Sequence, residues 1–109
     1  MFTVKIMNEF LHGPIWILGA DGITVGEHSL TLVEDDDRVS ELNEQIGLLF
    51  DSYYEFDSHD QACWFNEEQQ RADRDKMLGL LAQLHQRLDE LNDGSFVVED
   101  RETPFYESL

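Results

Sequence analysis

From Val39 to Phe56 the apolar residues Val39, Leu42, Ile46, Leu49, Phe50, Tyr53 and Phe56 recur at steps of three, four and one, the period of a helix that buries one stripe. Asp37, Glu41, Glu44, Leu48, Asp51 and Glu55 keep the same period on another face. A chain holding such a segment must supply a second apolar surface to cover the stripe and must leave the acidic face in water. Like charges three or four residues apart repel by roughly 0.2–0.5 kcal/mol per pair, so an ordinary solvated face interleaves Lys or Arg. This one does not. The stretch from Glu34 to Glu68 holds 12 acids and a single base, Arg38, which makes it −11 of the chain's net −17. The pattern predicts an acidic ridge with one leucine, Leu48, set into it, kept as a surface for a basic partner.

The flanking sequence supplies the covering surface. Phe2, Val4 and Ile6 alternate with Thr3, Lys5 and Met7, so residues 2–7 read as a half-buried strand. Asn8 to Pro14 is a connection closed by the turn pair Gly13-Pro14. Ile15 to Leu18 is fully apolar and reads as a strand covered on both faces. Asp21-Gly22 is a hairpin signal, with Ile23 to Val25 as the returning strand. Ser29 to Val33 alternates again. The acids Glu34 to Asp37 then precede the ridge helix; one of Asp35, Asp36 and Asp37 is expected to cap it, and the others suit its positive end. Gly47 in mid-helix costs about 1 kcal/mol against alanine and marks a close approach by another backbone.

Asp57 to Phe65 reads as a loop. Asn66 starts a second helix with Gln69 in capping-box spacing, and Glu67 and Arg71 form a favourable pair. The buried stripe of this helix is Met77, Leu80, Leu81, Leu84, Leu88 and Leu91, ended by Asn92-Asp93-Gly94 with Gly94 as the left-handed residue. Ser95 to Glu99 reads as a strand, and the tail after Arg101, with Pro104, as fraying. Strands at both ends with helices between predict one α+β domain over residues 1–109. A mostly antiparallel sheet of N-terminal strands plus a C-terminal strand would pack against two long helices.

A net charge of −17 argues against nucleic acid and anionic membrane as direct partners, since both would be repelled. The 12 aromatic residues and 41% hydrophobic content separate the chain from a disordered acidic tail. The single cysteine, Cys63, excludes an internal disulfide and fits a reducing compartment. The first residues lack the pattern of a signal peptide, and no apolar run approaches the ~20 residues that span a bilayer. The expected location is the cytoplasm.

Asp57, His59, Asp60 and Cys63 form the one cluster resembling a chemical site. As a zinc centre it lacks a second Cys or His at the usual interval. As a Cys–His nucleophile it places the thiol in an acidic setting that disfavours the thiolate, and Cys63 between Ala62 and Trp64 reads as packed. His12, His28 and His85 stand alone, and there is no phosphate loop, G-x-S-x-G or H-E-x-x-H. The reading is therefore not enzymatic, with no metal and no cofactor. Phe65 reads as a core plug. Trp64 and Tyr54 suit partly exposed anchors, and Leu48 suits the apolar centre of a charged interface.

Two stretches carry a resemblance. Met7-Asn8-Glu9-Phe10-Leu11-His12-Gly13-Pro14-Ile15-Trp16 and Tyr54-Glu55-Phe56-Asp57-Ser58-His59-Asp60-Gln61-Ala62-Cys63-Trp64-Phe65-Asn66, about a fifth of the chain, resemble the small immunity proteins of bacterial contact-dependent growth inhibition and related polymorphic toxin systems. The resemblance implies a role: binding and neutralising the toxic C-terminal domain of a cognate effector in the cytoplasm. Many such domains are nucleases, whose basic groove an acidic inhibitor can occupy. No binding residue carries over from the family. The residues read here as partner-binding are Glu41, Glu44, Leu48, Asp51, Glu55, Asp57, Asp60 and Trp64. The alternative is a polyanion mimic directed at a host nucleic-acid-binding enzyme.

Overall fold

The computed structural model describes residues 1–19, 30–58 and 60–109. The expected hairpin at Asp21-Gly22, its returning strand, His28 and His59 lie outside the described residues. The fold is α+β, as the element order predicts. β1 (Phe2–Ile6) is the middle strand of a three-stranded sheet, antiparallel to β2 (Ile15–Leu18) and parallel to β5 (Phe96–Asp100). The sheet is therefore mixed, and the late strand joins the early ones as expected. Phe2, Val4 and Ile6 share a face with Phe96 and Val98, and that face packs on the helices. Among the described residues β2 is the outermost strand on its side of the sheet, and only Leu18 of its four residues is buried, so it is not the doubly covered strand its composition suggested.

Leu30 and Val33 stand three apart, and both are buried. Of the strand expected at 29–33, the described part, from residue 30 on, forms a short helix instead, α1 (Thr31–Glu34). The acidic run then divides its roles: Asp35 closes α1, and Asp36 opens α2 (Asp37–Asp51) by accepting the Val39 N–H at 3.0 Å. α3 (Glu67–Ala72) starts at Asn66, whose Oδ1 accepts from the Gln69 N–H at 3.0 Å. At Asp73 the second helix breaks, and α4 (Arg74–Leu91) continues from it. Met77, Leu81, Leu84 and Leu88 of α4 are fully buried against Val39, Leu42 and Ile46 of α2 and the sheet face, forming one core. No helix among the described residues is long and apolar enough to cross a membrane.

Two segments depart from expectation. α2 stops at Asp51; Ser52 turns there, its hydroxyl donating to the Leu49 carbonyl at 2.6 Å. The following residues form an antiparallel ribbon, β3 (Tyr54–Ser58) with β4 (Gln61–Phe65), where a loop was expected. The tail does not fray but folds as α5 (Glu102–Glu107), burying Tyr106 completely. Asp100 starts it, accepting from the N–H groups of Glu102 and Thr103 at 2.8 and 2.9 Å, with His85 of α4 on its other oxygen. Pro104 falls in the first turn, where a missing N–H costs nothing. Burial pushes the Tyr106 hydroxyl up to about 12, and it accepts a hydrogen bond from buried Gln70 at 3.2 Å.

The Asn8–Pro14 connection lies along α2. Ile15 N–H donates to Asn43 Oδ1 at 3.1 Å, Leu11 N–H donates to Asp51 Oδ1 at 3.0 Å, and between them Gly13 sits on Gly47. Asn43, Gly47 and Asp51 are four apart and share one line of the helix. A Cβ on Gly47 would stand 3.1 Å from Gly13 Cα, so the close approach predicted at Gly47 is present. Gly13 itself has φ +85°, and a Cβ there would meet the Asn43 amide at 2.9 Å.

These contacts set two expectations. A Cβ on Gly79 of α4 meets nothing within 4 Å, so Gly79→Ala should stabilise the fold by about 1 kcal/mol through helix propensity. Gly47→Ala gains the same propensity but collides with backbone, and should lower the urea midpoint. The second concerns Asp36, which Arg87 of α4 grips through both oxygens at 2.6 and 3.0 Å. Those hydrogen bonds outweigh burial and hold its carboxyl at about 2, against 3.8 ordinarily. A depressed pKa contributes stability above the unfolded value that is lost as pH falls through the folded one. Asp36→Asn should therefore be less stable than the parent at pH 7, with the gap closing between about pH 4 and pH 2 in urea titrations.

Candidate partner-binding surface

α2 divides its circumference into three. Val39, Leu42 and Ile46 face the core, while Asn43, Gly47 and Asp51 carry the N-terminal connection. Asp37, Glu41, Glu44 and Leu48 face solvent over a line that reaches Asp51, about 21 Å at 1.5 Å per residue. Leu48 is 61% exposed, as the pattern predicts. The bases sit at the N-terminal end of this line: Arg38 Nη1 meets Glu41 at 3.0 Å, and Arg87 holds Asp36 and Glu90. Glu44 has no ion-pair or hydrogen-bond partner among the described residues. Asp51 gives one oxygen to Leu11 N–H and is only half exposed. The acidic face is thus a helical line from Asp37 to Asp51, in which Glu41 alone is ion-paired among the described residues.

Glu55, Asp57, Asp60 and Trp64 do not continue that line. They belong to the β3–β4 ribbon, so the single continuous ridge expected from the sequence is corrected to a helix face and a ribbon. Glu55 and Trp64 are cross-strand partners on one face, and Glu55 accepts from Asn66 Nδ2 at 2.8 Å. Asp57 and Asp60 lie toward the far end with φ of 55° and 57°, a conformation that Asp tolerates better than most residues. The other face carries Tyr54, Phe56, Cys63 and Phe65. Phe10 packs there, 4.6 Å from Tyr54 and 5.8 Å from Phe56 between ring centroids. Phe56, expected in the buried stripe, is 58% exposed, and Cys63, expected to be packed, is exposed. Phe65 is half-buried against Phe50 and Tyr53, in keeping with a plug at the ribbon's base. Among the described residues no three His, Cys, Asp or Glu side chains are grouped to hold a metal ion.

One residue of this surface was not singled out from the sequence. Leu11 has φ 63° and is 78% exposed. A large apolar residue in the left-handed region costs roughly 1–2 kcal/mol, and here the side chain recovers little by burial. Its backbone is tied to Asp51, one turn from Leu48. Leu11 and Leu48 are both strongly exposed apolar side chains. The signal available beforehand was Asn43, Gly47 and Asp51 at spacings of four, a second line on α2 unsuited to the core. Compared with known proteins, the chain matches no family model, no curated protein and no solved structure.

If Leu11 is kept for display rather than stability, relieving its backbone should help the fold. Leu11→Asn, a residue at ease with positive φ, should raise stability by about 0.5–1 kcal/mol in urea titrations.

Proposed function

We propose that this protein is a non-catalytic immunity protein that binds a cognate basic toxin domain, of nuclease type, and neutralises it in the cytoplasm. The observation that carries this reading is the solvent face of α2, where Glu41, Glu44 and Leu48 stand in line and the bases are confined to one end. Carboxylates there steer a basic surface inward and pair with its Lys and Arg, while Leu48 and Leu11 supply the desolvated centre. Support also comes from the likeness of the Met7–Trp16 and Tyr54–Asn66 stretches to immunity proteins of contact-dependent growth inhibition systems. Both stretches border this surface: the first carries Leu11, and the second forms the ribbon. A line of about 21 Å suits the groove of a compact domain better than the long phosphate track a polyanion mimic must imitate.

The test is association kinetics with the basic C-terminal toxin domain of the effector encoded beside this chain. The on-rate should fall at least about tenfold between 50 mM and 500 mM salt, as screening shortens the reach of the ridge. Glu41→Gln combined with Glu44→Gln should lower the on-rate and flatten that salt dependence, and Leu48→Asp should mainly speed dissociation. Absence of binding, or an on-rate indifferent to salt, overturns the reading.

A further inference from the structure

Away from the α2 face, an open groove of about 440 Å³ runs where the base of the β3–β4 ribbon meets α5. Its apolar walls are the rings of Phe50, Tyr54, Phe65 and Phe105. Tyr54 and Phe65 meet edge to face, 5.0 Å apart, and Phe105 is 45% exposed beside buried Tyr106. Asn8, Glu67, Gln70, Arg101 and Glu102 supply the polar groups. Asn8 N–H donates to Glu102 Oε1 at 2.8 Å, which fixes the two together. Yet Oδ1 and Nδ2 of the Asn8 side chain are both buried and have no hydrogen-bond partner among the described residues. Both atoms are closed to solvent, so the amide is not a contact point for a ligand in the groove. None of the eight residues read from the sequence as partner-binding lines this groove.

We propose that this groove binds an arginine side chain presented by a protein partner. The guanidinium lies on the rings and donates to the Glu102 carboxylate. Arginine fits where lysine does not, because its planar group both stacks on aromatic faces and donates in several directions at once. Glu67 at the groove adds negative charge. Arg101 also lines it, but its guanidinium is engaged by Glu99 at 2.9 and 3.2 Å. A second copy of this chain is a poor occupant, since two bodies of net −17 repel. The inference rests on the reading above only for the source of the arginine; it adds an anchor point separate from the α2 ridge.

The experiment is an amide chemical-shift titration of the full chain with N-acetyl-arginine-N-methylamide, with the citrulline analogue as the neutral isostere. The expected result is saturable millimolar binding with shifts at Asn8, Phe65, Glu102 and Phe105, weakened about tenfold for citrulline and in Glu102→Gln. Phe105→Ala should weaken it too, and Glu44→Gln on the ridge should not. Equal binding of citrulline, shifts confined to α2, or no shift up to about 50 mM overturns the proposal. A groove that fails this titration while toxin binding stays salt-dependent removes the anchor and leaves the immunity reading standing.

Discussion

The approach of Gly13 to Gly47, so close that a methyl group on Gly47 would stand 3.1 Å from Gly13 Cα, joins the N-terminal connection to the central helix. Much of the molecule is arranged around that contact. It requires a glycine in the middle of α2 despite the propensity cost, and a left-handed glycine in the loop above it. Asn43 and Asp51, one turn to either side, then hold the loop by its own N–H groups. With one side of α2 given to the loop and another to the core, the acids have only the remaining side to occupy. The ridge follows from what the other two surfaces of the helix exclude.

Charge is distributed on the same plan. Of the arginines, Arg38, Arg74, Arg87 and Arg101 each pair with an acid of the chain. Arg87 is the most structural of these, because its fork on Asp36 fastens the start of α2 to α4 while Asp36 also caps the helix. Asp100 plays the matching part at α5. Burial pushes its carboxyl up, but the hydrogen bonds from Thr103, His85 and the Glu102 backbone outweigh this and leave it below its ordinary value. Glu102 next to it goes the other way, raised by burial. Two neighbouring carboxylates therefore differ in character: one is consumed in capping, and the other borders an open groove.

The long helices were legible because leucine-type residues at the right period are hard to place otherwise: Met77, Leu81, Leu84 and Leu88 allow no other face to be buried. The caps at Asp36 and Asn66 and the contact at Gly47 were legible for equally local reasons. The ribbon was not. Tyr53 and Phe56 fall three and six residues after Phe50, so helical period ran on past the point where Ser52 ends the helix. Aromatic residues favouring strands were the competing signal, and they decide the outcome from Tyr54 onward. α1 is too short to show a period. Pro104 suggests a fraying tail, yet it stands in the first turn of a helix. Of the candidate site, the α2 half was readable from spacing alone. The displacement of Glu55 and Trp64 onto a ribbon, and the exposure of Leu11, depend on contacts between distant parts of the chain.

The parallel pairing of β1 with β5 has a consequence for how the molecule comes together. Phe2 lies opposite Phe96, and bringing such remote segments together costs about 4 kcal/mol of loop-closure entropy before any contact rewards it. The contacts within α2 and α4, and between strands of the β3–β4 ribbon, close far shorter loops. The topology therefore favours helices first and the three-stranded sheet last. The charged face of α2 takes shape early, while its own chain is still gathering beneath it.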